Sequence, residues 1–166
     1  MELRASSATA LLAAFLLSGC AAVSLARLEP GRSTEADVRQ ALGEPARVYA
    51  AADGSRQLVF PSGPEGTQTH MAHLAADGRL VRLEQVLSEE HFGRISTGTT
   101  KAGEVERLVG PPWRMQDFPN LQATAWDYVF RDTWDYIVDF SVMVGRDGVV
   151  TDKVYARRPR GESGFK

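Results

Sequence analysis

One cysteine, Cys20, stands alone in 166 residues, so no internal disulfide can staple this chain. Histidine is nearly as scarce, at three residues. Charge of one sign is missing too: 19 basic against 21 acidic side chains leave a net charge of −2. That balance lacks the basic footprint on which nucleic-acid binding depends. Long apolar runs are absent. The best stretch, Ala8–Leu17, is too short to span a bilayer, and no second run approaches that length. No phosphate-cradling glycine loop, metalloprotease motif or nucleophile elbow occurs.

What is present begins at the N-terminus. The apolar stretch Ala8–Leu17 has the length of a signal h-region, and Leu17-Ser18-Gly19-Cys20 follows it. A branched apolar residue, two small residues and then cysteine is the order of a bacterial lipobox. Small side chains admit the signal peptidase, and the freed thiol accepts the diacylglyceryl group. The expectation is a signal peptide over 1–19, lipid attachment at Cys20 and anchoring by two or three acyl chains, each buried methylene contributing about 0.8 kcal/mol. Removal of 1–19 takes away one arginine and one glutamate and leaves the charge at −2. Ala21 follows the cysteine where inner-membrane retention uses aspartate, which points to the periplasmic face of the outer membrane.

The rest of the chain repeats itself. Gly31, Ser33, Val38, Leu42, Gly43 and Pro45 recur as Gly98, Thr100, Val105, Val109, Gly110 and Pro112, all at an offset of 67. Asp77-Gly78 recurs as Asp147-Gly148 at an offset of 70. Ser33 or Thr34, and Thr99 or Thr100, suit a helix N-cap. Val38 and Leu42, like Val105 and Val109, share one helical face. Gly43 and Gly110 suit a left-handed helix end, with Pro45 and Pro112 blocking continuation. A further helix is expected before each capped one, over 21–28 and 88–95. Strand text follows near 47–51, 56–60, 69–75 and 80–86, then near 113–118, 124–130, 136–144 and 149–155, with Asp-Gly pairs marking tight turns. These patterns predict an α+β fold of two tandem helix–helix–antiparallel-sheet units, at 20–87 and 88–157, with helices covering one face of a shared or adjoining sheet.

Leu28, Gly31, Ser33, Val38, Leu42, Gly43 and Pro45, repeated from Ile95 to Pro112, make a pattern that resembles the SmpA/OmlA (BamE-like) family of outer-membrane lipoproteins. The resemblance implies a non-catalytic scaffold or accessory in β-barrel assembly or envelope integrity. Members of that type generally carry one copy of the unit. Two copies are more similar to the β-lactamase-inhibitor-protein architecture, which implies an alternative: a protein-binding inhibitor or receptor of a periplasmic enzyme.

Alternation divides the second copy into two faces. Trp126, Tyr128, Phe130, Trp134, Tyr136, Val138, Phe140, Val142 and Val144 are expected in the core. Asp127, Val129, Asp135, Ile137, Asp139 and Met143 fall opposite, with Ser141, as a candidate partner-binding face. Asp127, Asp132, Asp135 and Asp139 invite an acid–base reading, but alternating aspartates on strand text ordinarily face solvent, and no catalytic residue is expected. His70 and His73 are three apart, on opposite strand faces, and His91 lies on a helix expected to face water. No metal and no cofactor is therefore expected. Ser62–Gly66 reads as a turn-rich loop. Residues 158–166, rich in arginine, glycine and proline, read as a disordered, solubilising tail.

Overall fold

The computed structural model describes residues 25–159. The chain starts with a single 3₁₀ turn at Leu25–Arg27 and continues into helix α1, Glu35–Leu42. Strands β1 (Arg47–Ala50), β2 (Arg56–Pro61), β3 (Thr69–Leu74) and β4 (Leu80–Gln85) follow. Helices α2 (Glu89–Gly93) and α3 (Ala102–Val109) lead to β5 (Arg114–Phe118), β6 (Ala123–Arg131), β7 (Ile137–Gly145) and β8 (Val150–Arg157). Each set of four strands is an antiparallel meander, in the order β1-β2-β3-β4 and β5-β6-β7-β8.

The expected α+β layering, helices covering one face of a sheet in two tandem units, is overturned. The molecule is mainly β, two separate four-stranded sheets with short helices. α1 and α3 have eight residues each and α2 has five. Helix punctuation is conspicuous in the sequence, but it brackets little helix. Before α1, the described part of the expected helix over 21–28 is only the 3₁₀ turn. The eight expected strands do form, because alternating apolar residues and Asp-Gly turns set hairpins directly. At each turn the aspartate Oδ1 accepts a backbone N–H two residues on, Asp53 from Ser55 (2.9 Å), Asp77 from Arg79 (3.0 Å) and Asp147 from Val149 (3.0 Å).

The sequence repeat is a repeat of hydrogen bonds. Gly31 N–H donates to Leu80 O at 2.7 Å, and Gly98 N–H donates to Val150 O at the same distance. Leu80 N–H donates to Ser33 O (2.8 Å) as Val150 N–H donates to Thr100 O (2.9 Å). The Ser33 and Thr100 hydroxyls each accept a backbone N–H four residues upstream, from Glu29 and Ser96, both at 2.9 Å. These hydroxyls therefore lock the entry loop and do not cap the helix. The caps are Thr34, which takes Asp37 N–H, and Lys101, whose backbone N–H reaches the Glu104 carboxylate at 2.7 Å.

Three clusters fill the interior. Val38, Leu58, Phe60, Ala72, Leu74 and Leu80 join α1 to one face of the first sheet. The second and largest cluster brings Phe92, Val105 and Val109 against Tyr128, Phe130 and Phe140, with the Phe92 ring 4.1 Å from Phe140 and 5.0 Å from Phe130. The third, Val59, Met71 and Val86 with Tyr49, lies on the other face of the first sheet and meets the end of α3. There Tyr49 Oη donates to Glu106 at 2.7 Å and Gln57 Nε2 donates to Arg107 O at 2.7 Å. α3 thus contacts the first sheet through Glu106 and Arg107 while its valines enter the core of the second.

Candidate functional site

The candidate face of the second sheet is built by register. Val129 pairs with Asp139, Asp127 with Ser141 and Ala125 with Met143, and directly paired residues share a face. Asp127 is buried there. Its Oδ2 takes Arg114 Nε (2.8 Å) and a second guanidinium nitrogen (2.7 Å), and its Oδ1 takes the Ser141 hydroxyl at 2.6 Å. Asp139 holds Arg158 through both oxygens, at 2.8 and 2.6 Å. Val129 is buried, and Ile137 and Met143 are half-buried. Asp135 is not on this face. It sits in the β6–β7 turn with φ +62°, exposed and paired with Arg131 at 2.9 Å.

Asp132 shapes that turn. Its buried Oδ1 accepts the N–H groups of Trp134 and Tyr136, both at 2.9 Å, and Oδ2 is paired with Arg157. Burial pushes its carboxyl up, but the two backbone donors and Arg157 outweigh it and hold it below the usual carboxylate range. Trp134 consequently stands in the turn and is 72% exposed, contrary to its expected place in the core. Each of the four aspartates singled out by sequence carries an arginine partner, so their charges are neutralised in place.

Sequence reasoning missed a polar cluster where α2 meets the first sheet. Glu84 Oε1 lies 2.9 Å from His73 Nε2 and takes Arg82 Nε at 3.2 Å, while Glu84 Oε2 lies 3.8 Å from His91 Nε2. The Ser88 hydroxyl, which caps α2, is 2.8 Å from His91 Nδ1. His91, expected to face water, is only 7% exposed. The serine three residues before it was the available signal, since an N-cap serine fixes the residue at N3 against the chain. Burial holds the His73 imidazole below its usual value, Arg82 adds to the effect, and Glu84 opposes it. Among the described residues, no group of three or more His, Cys, Asp or Glu is arranged to hold a metal ion.

The turn-rich Ser62–Gly66 loop has a more specific place than its composition suggested. It walls an apolar cavity of about 260 Å³ together with Pro111, Pro112, Trp113, Tyr128 and Val129. The Tyr128 hydroxyl is satisfied by Gly110 O at 3.0 Å, whereas the buried Trp113 indole N–H has no hydrogen-bond partner among the described residues. Arg114 lies over the Trp113 ring at 4.7 Å.

Cys20 falls outside the described residues. Among those described, no helix is long and apolar enough to cross a membrane. No family model matches the chain, and no curated protein matches it. Among solved structures, it is similar to a DUF4309 family protein, YjgB, from Bacillus subtilis, at 19% identity, over 80% of this chain and 83% of that one, with a TM-score of 0.30. Overlap at that level leaves the functional reading to the chain's own residues.

Proposed function

We propose that this protein is a lipid-anchored, non-catalytic binding module of the bacterial envelope. Cys20 attaches it to the periplasmic face of the outer membrane, and it serves as a scaffold or accessory in β-barrel assembly or envelope integrity. One observation carries the reading: the order Leu17-Ser18-Gly19-Cys20 directly after an apolar stretch of signal length. The glycine–serine/threonine–valine motif shared with SmpA/OmlA lipoproteins supports it. So does the second sheet, whose half-exposed Ile137 and Met143 flank Asp139, a carboxylate already paired with Arg158, a surface that suits docking better than proton transfer. The duplication of the motif favours a second reading, an inhibitor or receptor of a periplasmic enzyme.

Cross-linking in intact cells expressing an affinity-tagged copy, followed by mass spectrometry, tests the proposal. The expected result is recovery of β-barrel assembly subunits, with membrane attachment lost in Cys20→Ser. Recovery of one other envelope protein would select the inhibitor or receptor reading. Recovery of no envelope protein would overturn both.

A further inference from the structure

We propose that Arg114 anchors the partner on the outer face of the second sheet, its guanidinium taking an aspartate or glutamate side chain of that protein. Strand register puts Arg114 on this face, since it pairs with Asp127, which pairs in turn with Ser141. Two neighbours fix it there. The buried Asp127 Oδ2 accepts Nε (2.8 Å) and lies 2.7 Å from Nη2, so the side edge of the guanidinium is occupied. The Trp113 ring lies against the same group at 4.7 Å. The other edge, Nη1 with Nη2, meets no acceptor among the described residues, and the Arg114 side chain is 54% exposed. Two parallel N–H donors on that edge match the two oxygens of a carboxylate.

The same face shows what completes such an arginine. Asp139 takes the side edge of Arg158, through Nε (2.8 Å) and Nη2 (2.6 Å). Glu65, from the β2–β3 loop, meets its other edge, with Nη1 and Nη2 both 3.4 Å from one carboxylate oxygen. Arg158 is therefore held by one carboxylate of the sheet and one from a separate segment. Asp127 and Asp139 are diagonal neighbours on adjacent strands, about 7–8 Å apart, so both arrangements belong to one patch. Arg114 has the carboxylate of the sheet and lacks the second. Exposed ion pairs ordinarily contribute little, because two long side chains lose freedom in making them. Asp127 and Trp113 already hold Arg114, so an arriving carboxylate meets a preset fork. Arg114 and Asp127 sum to zero charge, which suits a singly charged carboxylate better than a phosphate dianion. Half-exposed Ile137 and Met143 supply apolar contact on the same face. Arg114 has this role only if the face docks a partner, as proposed above.

Photo-cross-linking in intact cells tests it, with p-benzoylphenylalanine replacing Gln116, which is exposed two residues along the same face from Arg114. The expected adduct is with one envelope protein, on a peptide that carries aspartate or glutamate. Arg114→Gln combined with Asp127→Asn removes both charges without leaving a buried carboxylate alone. That pair of substitutions is expected to lower the adduct yield at least about ten-fold, the weight of a charge-assisted contact. Replacing the acidic residue of the partner by its amide leaves this chain untouched and should give the same loss. An unchanged yield in either case would overturn the proposal, as would adducts confined to this chain or to a second copy, or none from Gln116. If the affinity-tagged chain still recovers an envelope protein then, docking stands and the role of Arg114 alone falls. If it recovers none, the docking reading falls as well.

Discussion

Gly43 and Gly110 close α1 and α3 at φ of +82° and +85°, with ψ near the extended value. That region of backbone space is accessible essentially to glycine alone and costs other residues about 1–3 kcal/mol. The two positions differ in their surroundings. A Cβ on Gly43 would meet open space, whereas one on Gly110 would come within 3.0 Å of the Thr69 methyl and 3.1 Å of Val59. Gly110→Ala is therefore expected to destabilise the protein more than Gly43→Ala in urea titrations; equal losses would contradict close packing of the two halves. Histidines supply a pH prediction at the same scale. Burial holds the imidazoles of His70 and His73 below their usual range. The unfolded chain then takes up protons at a higher pH than the folded one, so stability declines as pH falls through about 6.5. The urea midpoint should drop between about pH 7.5 and about pH 5.5, and His70→Asn with His73→Asn should flatten that difference. Identical slopes in both proteins would contradict the assignment.

Among the elements, α2 illustrates how little helix is needed when one side chain is well placed. Five residues cannot hold a helix in water unaided. Phe92 anchors it among Tyr128, Phe130 and Phe140, and Lys153 Nζ donates to Phe92 O in its last turn (3.5 Å) and to Ile95 O just beyond it (2.6 Å). Phe92→Ala is expected to cost about 3–5 kcal/mol in denaturation, the range for emptying a buried aromatic site. A loss below about 1 kcal/mol would show that the site collapses around the smaller residue. The strands were legible in the sequence because their signals are local: Trp126, Tyr128 and Phe130 alternate into the core, and Asp-Gly pairs mark the turns. What escaped depends on contacts made elsewhere. Alternation puts Trp134 inside, but Asp132 captures the N–H groups of residues 134 and 136 and curls the segment into a turn. Thr100 has the chemistry of a cap, yet its hydroxyl serves Ser96, leaving the cap to Lys101. Within the candidate face, Asp127, Val129, Ile137, Asp139 and Met143 were readable by parity. Their arginine partners, from Arg114 to Arg158, were not, because cross-strand neighbours follow from register.

For the whole molecule, the contact between the two sheets decides whether they unfold together. Burial, with Glu106 adding to it, pushes the Tyr49 phenol up to about 12, so the phenol stays protonated and donates to Glu106 across neutral pH. Arg107 lies over the same ring at 5.1 Å, and Gly110 packs on Val59. All three tryptophans lie between residues 113 and 134, in the half that holds the second sheet. Tryptophan fluorescence therefore reports that half, while far-ultraviolet dichroism reports both. Coincident unfolding curves are expected, with Tyr49→Phe lowering both by about 1 kcal/mol. Dichroism that melts ahead of fluorescence would mean that the first sheet unfolds alone. The cellular reading rests on Cys20. Its most direct test is the intact mass and N-terminal peptide of protein extracted from membranes by detergent. A chain that begins at Cys20 and carries a diacylglyceryl thioether is the predicted result. A chain that retains residues 1–19, begins elsewhere or carries an unmodified Cys20 would contradict the account.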